Sequence, residues 1–217
     1  MTDDTKKEEA ERILKAARKQ VFAHGVRSLQ LDKLATKLSM RVKTIYTHYR
    51  TKSLLIAAVL RDKMTEMDSD LDVIHKTNHN FSESMRLMLE VLRKHALEYS
   101  PVYVRDMMAK GSTRYFDWMV NLREEILTRH LTEFFELGQQ EGAIRDDISV
   151  TIFNEAYLSM TNGILIGKII RKEKGSNVHE VHKTLFSMLL KGVLVRCEPK
   201  RKPAPPKKKK TTARKKA

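Results

Sequence analysis

The chain has 217 residues, 41% of them hydrophobic, and a formal net charge of +15; it is long enough for a real core and too apolar to be a disordered chain. One cysteine, Cys197, excludes an internal disulfide and a cysteine zinc site. The most apolar run, Ile164 to Ile170, is interrupted by Gly167 and Lys168 and falls far short of the ~20 residues that span a bilayer, and Met1 to Glu11 is charged where a signal peptide is apolar, so a cytoplasmic protein without a membrane partner is expected.

Four of the five prolines lie at Pro199, Pro203, Pro205 and Pro206, leaving only Pro101 in the first 197 residues. Apolar residues there recur three and four apart, and alternation with period two is scarce, so the fold class predicted is all-α. Thr5 with Glu8 reads as a capping box opening a helix over 6–24. Ile13, Leu14, Ala17, Val21 and Phe22 form its apolar face, and Gly25 stops it. A short helix follows with Leu31, Leu34, Ala35 and Leu38 inward, then a tight turn at Ser39 and Met40. The next helix, Arg41 to His48, turns Ile45 inward and shows Arg41, Val42, Lys43, Thr44, Tyr46, Thr47 and His48 on its other face. Cations, hydroxyls and a small apolar group are the set that reads major-groove edges and thymine methyls. Thr51 is the expected N-cap of the following helix, which Lys52 opens; helix-start amides beside an ammonium make a phosphate seat.

Asn80 with Glu83 caps a helix over 80–98, and Ser100 followed by Pro101 opens another at 101. Longer helices fit 114–140, ending near Gly142, and 149–172, ending before Gly175; Asn177 with Glu180 opens a last one over 177–196. Helix 149–172 is apolar nearly all round, with Phe153, Ala156, Tyr157, Met160, Gly163, Ile164 and Gly167 in register, and so suits burial on two sides. Helix 177–196 carries Val181, Leu185, Met188, Leu189, Gly192 and Val193 on one face. Residues 198–217 hold ten Lys or Arg and one acid, so the first 197 residues carry only +6 of the charge. This segment is expected to be a disordered basic tail, either solubilising or adding phosphate contacts.

The ordered set Ala23 to Ala35, Leu38 to Tyr49 and Thr51 to Leu55 resembles the N-terminal domain of the tetracycline-repressor (TetR) family of transcriptional regulators. Gly25 with Leu34 and Ala35, the Thr44-Ile45-Tyr46-Thr47-His48-Tyr49 core and the Thr51-Lys52 step carry the likeness, over about a quarter of the chain. The resemblance implies DNA contacts at Gln30, Arg41, Lys43, Thr44, Tyr46, Thr47, His48 and Lys52, with Tyr46 and His48 on the phosphate backbone. Gln30, Ser39 and Arg41 depart from the family, which has Ser or Thr, Gly, and Ser or Ala at those places. The resemblance further implies a bacterial, nucleoid-associated repressor that binds a pseudo-palindromic operator as a homodimer and answers to a small-molecule effector. The dimer interface is then expected at Phe153, Met160, Gly163, Gly167, Leu185, Met188 and Leu189. The ligand pocket is expected among Tyr103, Met107, Tyr115, Trp118, Met119, Leu122, Phe134 and Tyr157.

Three domains follow: a helix-turn-helix DNA-binding domain over 1–52, a helical regulatory and dimerisation domain over 53–197, and the tail over 198–217. Glycine-rich phosphate loops, Gly-x-Ser-x-Gly elbows and His-Glu-x-x-His motifs are missing, so no enzyme and no cofactor is expected. His75 with His79 and His179 with His182 have metal-compatible spacing, but no third ligand emerges from the sequence, and no metal is expected. The alternative function is a sequence-indifferent architectural DNA binder that relies on its lysine-rich tail.

Overall fold

The computed structural model describes residues 3–77, 80–107, 113–171 and 178–194; over 161–171 and 178–183, and at 3, 113, 114, 116 and 185, it describes the backbone alone. Among the described residues nine helices form: α1 (Asp3–His24), α2 (Leu31–Lys37), α3 (Val42–His48), α4 (Lys52–Lys76), α5 (Phe81–Leu97), α6 (Pro101–Met107), α7 (Thr113–Gln140), α8 (Val150–Arg171) and α9 (Val178–Val193). No strand forms among them, and extended pairing is limited to an isolated bridge between Ile144 and Leu194. The predicted all-α class is therefore observed.

The caps explain most of the boundaries. The Asn80 side chain accepts from Glu83 N–H and starts α5, Ser100 Oγ accepts from Tyr103 N–H at the head of α6, and Thr51 accepts from Leu54 N–H at the head of α4. These bonds satisfy first-turn donors that lack an intrahelical partner. Gly25 and Gly142 follow α1 and α7 with φ of 90° and 67°, a region closed to most side chains. One expected cap fails: α1 already begins at Asp3, so Thr5 lies inside it and opens nothing. Acidic residues in the first turn complement the helix dipole, and Asp3 and Asp4 carry the helix past the expected start. Asn177 and the tail over 198–217 lie outside the described residues.

α4 is the spine. It packs on α1, α5 and α7, while α7, α8 and α9 pack in sequence. Its buried side chains, from Leu55 and Val59 through Met64 and Met67 to Leu71 and Ile74, recur three and four apart. The helix-turn-helix sits against α1, where Ile13, Ala17 and Val21 are fully buried with Leu34, Ala35 and Ile45 in the same core.

Lys63 is also fully buried on α4. Its Nζ lies 2.5 Å from Glu98 Oε1. Arg18 of α1 pairs with Asp62 at 2.8 Å, with Glu98 at 3.0 Å and with Glu66. Burial pushes the Lys63 ammonium below its ordinary pKa despite the pull of Glu98. Burial acts to raise the Glu98 carboxyl, but hydrogen bonds from Lys63 and Arg18 outweigh it and hold that carboxyl below the usual range. Three helices are thereby tied by ions whose partial desolvation is compensated only while all partners stay in place.

Candidate nucleic-acid interface

α2 and α3 are seven residues each, too short to persist alone. Tertiary contacts hold them. Leu31, Leu34 and Ala35 anchor α2, and Ile45 anchors α3 with no exposed surface. The turn between them closes through Ser39 N–H to Thr36 O at 3.1 Å and Met40 N–H to Ala35 O at 3.0 Å. Ser39 takes φ of 53°, among the described residues the one positive value outside glycine. The left-handed turn is kept without glycine, at a cost of about 1–2 kcal/mol.

α3 is fixed to α1 from behind. Tyr49 Oη donates to Ala10 O at 3.2 Å, and His48 Nε2 lies 3.1 Å from Glu9 Oε2. Arg41, Lys43, Tyr46 and Thr47 are exposed on the other side, with Tyr46 at 47%. Gln30 is exposed too; it occupies the N-cap position of α2 but makes no side-chain cap bond. Thr44 and Lys52 are half-buried, and Thr47 Oγ1 bonds back to Lys43 O at 3.0 Å. Arg41 is the N-cap residue of α3, with extended backbone, so the helix starts one residue later than expected. His48 does not share the open face: only 10% of its side chain is exposed. Glu9 is the partner that sequence reasoning missed, because it sits 39 residues away on α1. Residues 28–52 hold six Lys or Arg against one acid, Asp32, so the open face is cationic.

The regulatory half disperses the expected pocket. Trp118 and Leu122 line a solvent-open cavity of about 530 Å³ between α4 and α7, with Arg61, Met64, Asp68 and Arg129. Tyr103 is elsewhere: it is buried, stacked on Tyr99 at 5.1 Å, set edge-on to Phe22 at 5.1 Å, and its hydroxyl lies 3.1 Å from Met119 Sδ. Met107 is buried and Tyr115 half-buried. Phe134 packs on Phe81 at 4.6 Å and Tyr157 edge-on to Phe186 at 5.5 Å, so both serve the core. Aromatic residues at helical spacing mark burial, and the spacing does not say around which space.

The expected dimer face divides as well. Phe153 is buried with its ring 5.0 Å from that of Phe135, inside its own subunit. Met188 is 61% exposed and Met160 and Leu189 are half-buried, while Gly163, Gly167 and Leu185 are described in backbone alone. Ile152 on α8, which the sequence did not single out, is 66% exposed.

Two short helices joined by a tight turn, the second seated on its apolar face with its cationic face open, define a helix-turn-helix DNA-binding protein. Residues 13–59 match the family model described as bacterial regulatory proteins, tetR family. The chain thus carries over those residues the DNA-binding domain of TetR-type transcriptional regulators. It is 25% identical over 159 residues to the HTH-type transcriptional regulator UidR of Escherichia coli strain K12, covering 71% of this chain and 78% of that protein. In fold it is similar to a transcriptional regulator from Cytophaga hutchinsonii, with TM-score 0.68, 16% identity, and 86% of this chain and 99% of that one covered. It is likewise similar to a regulator from Saccharomonospora viridis solved in complex with choline, with TM-score 0.65, 15% identity, and 88% and 100% covered. No helix among the described residues is long and apolar enough to cross a membrane.

Proposed function

We propose that the protein is a repressor that binds a pseudo-palindromic operator as a homodimer and leaves it when a small organic effector binds. The single observation that carries this reading is the seating of α3, held from behind by Ile45 and Tyr49 with Arg41, Lys43, Tyr46 and Thr47 exposed in front. Lys43 and Thr44 address base edges. Gln30, Arg41, Tyr46, Thr47 and Lys52 address the backbone and the groove walls. His48 acts through Glu9 to hold α3, and its imidazole reaches phosphate only by leaving that carboxylate. Residues 1–52 form the reading head, 53–197 the regulatory and dimerising body and 198–217 a basic tail.

Exposed Ile152 and Met188 on neighbouring helices support a second copy against α8 and α9. A two-fold pair spaces its recognition helices by about one DNA turn, roughly 34–36 Å. The α4–α7 cavity supports an effector, in line with the choline complex of the Saccharomonospora viridis regulator. A route to the head also exists. Asp106 of α6 accepts Arg27 N–H at 2.6 Å and pairs with its guanidinium at 3.1 Å, and Ser100 N–H donates to Phe22 O at 3.2 Å. Any shift of α6 is therefore felt at the end of α1 and the start of the helix-turn-helix, which is the differential contact that a population shift requires.

Selection of bound duplexes from a random pool, with the full chain and with residues 1–197, tests the reading. An inverted repeat enriched by both forms is the expected result. Binding that vanishes with the tail, or no enriched motif, makes the protein a sequence-indifferent architectural binder instead.

A further inference from the structure

α4 carries a second polar cluster at its far end, which DNA binding does not use. Asp68, Asp72 and His75 lie four and three residues apart and so share one face of α4; His130 and Glu133, three apart, share one face of α7. Packing of α4 on α7 brings the two faces together. His75 Nδ1 is 3.3 Å from Glu133 Oε2, and the rings of His75 and His130 lie nearly parallel with centroids 5.1 Å apart. One ligand atom each from His75, His130 and Glu133 fall within 4.8 Å of one another, as do atoms of Asp68, Asp72 and His130.

His130 is 1% exposed. Its Nε2 lies 3.0 Å from Asp68 Oδ1 and 3.3 Å from an Arg129 nitrogen. A carboxylate can only accept, and the Asp68 contact is the shorter, so Nε2 carries the proton. Nδ1 is then a bare lone pair, buried, with no hydrogen-bond partner among the described residues. A carboxylate behind one imidazole nitrogen with the other left bare is how proteins orient histidine ligands for a metal.

We propose that His75, His130 and Glu133, with Asp72 beside them, bind a first-row divalent ion of the Zn²⁺ class and bridge the last turn of α4 to α7. Two imidazoles and a carboxylate are donors for such an ion rather than for Mg²⁺ or Ca²⁺. Tetrahedral zinc needs ligand atoms about 3.3 Å apart, so the three atoms draw in by side-chain rotation, and the proton that His75 Nδ1 holds toward Glu133 moves by exchange with solvent to Nε2 of the same ring, leaving Nδ1 to ligate. The histidine and carboxylate group formed by Glu66 of α4 with His95 and Glu98 at the end of α5 carries no such site. Lys63, Lys94 and Arg18 already hold its carboxylates.

Zn²⁺ is titrated into the full chain against a chromogenic chelator, with far-UV circular dichroism confirming the fold of each variant. The expected result is one Zn²⁺ per chain, weakened at least ~10-fold in both His75→Gln and Glu133→Gln and ~10-fold in Asp68→Asn. A variant with both His179→Asn and His182→Asn keeps the wild-type affinity. In the unmutated protein, Zn²⁺ protects His75 from diethyl pyrocarbonate, and this readout does not depend on any variant folding. Absence of saturable Zn²⁺ binding, wild-type affinity in either His75→Gln or Glu133→Gln, or unchanged labelling of His75 with Zn²⁺ bound overturns the site.

Discussion

Two clusters along α4, one at its middle and nearer the head, one toward its far end, solve the same problem with different chemistry. In the nearer cluster, carboxylates at Asp62, Glu66 and Glu98 are met by the guanidinium of Arg18 and by the buried Lys63. At the far end, carboxylates at Asp68, Asp72 and Glu133 are met partly by Arg129 and partly by histidines. The nearer cluster is therefore a fixed joint, welding α1 and the helix-turn-helix to the body. The far end holds groups whose charge and lone pairs change with pH and with metal ions. A regulator needs both: a head that follows its spine faithfully, and a spine whose other end responds to conditions.

The strongest way to break the contrast is at Lys63. Lys63→Ala removes a fully buried cation and strands Glu98 beside Arg18 alone, so it should cost ~3 kcal/mol in urea unfolding. A loss of less than ~1 kcal/mol would make the nearer cluster no tighter than a surface pair. Gly25→Ala tests the same joint through the backbone. Its φ of 90° and a new Cβ 2.8 Å from Asp106 Oδ2 predict about 2 kcal/mol of destabilisation, read as a lower thermal midpoint.

Acidification sharpens the contrast from the other side. Burial depresses the pKa values of His75 and of His95 on α5, whose Nε2 meets Asp70 of α4 at 2.9 Å. As pH falls below the ordinary histidine value of ~6.5, the unfolded chain takes up protons before the folded one does. Stability is therefore fully present above that pH and declines as pH drops toward the depressed folded values. A urea series from pH 7.5 to 5.5 should show this decline, and His75→Gln should flatten part of it. The smallest effect is expected at Arg129, whose side chain is 48% exposed. Arg129→Ala should cost less than ~1 kcal/mol and approach zero at high salt; a cost near that of Lys63→Ala would erase the distinction.

Local signals were legible wherever the chain supplies both partners within a turn or two. Asn80, Ser100 and Thr51 cap as their spacing predicts, Gly25 and Gly142 end helices, and Ser39 takes the left-handed turn. The same locality misled at Thr5, where upstream acids continue the helix. In the body, the family resemblance implied one shared pocket around Tyr103, Phe134 and Tyr157, and the structure puts each against a different neighbour. Phe153 faces inward for the same reason: an all-round apolar helix does not reveal which side meets its own subunit.

By itself the sequence determined the helical class, the order of the helices and the outward cationic face of α3, because these follow from periodicity, caps and a short ordered motif. Only the tertiary structure decided that His48 answers to Glu9, that Lys63 is buried with Glu98, and that His75 meets His130 and Glu133. These pairs lie between 35 and 58 residues apart along the chain. Contacts at that separation depend on how whole helices cross, and helical periodicity carries the face of each helix without carrying which face it will meet.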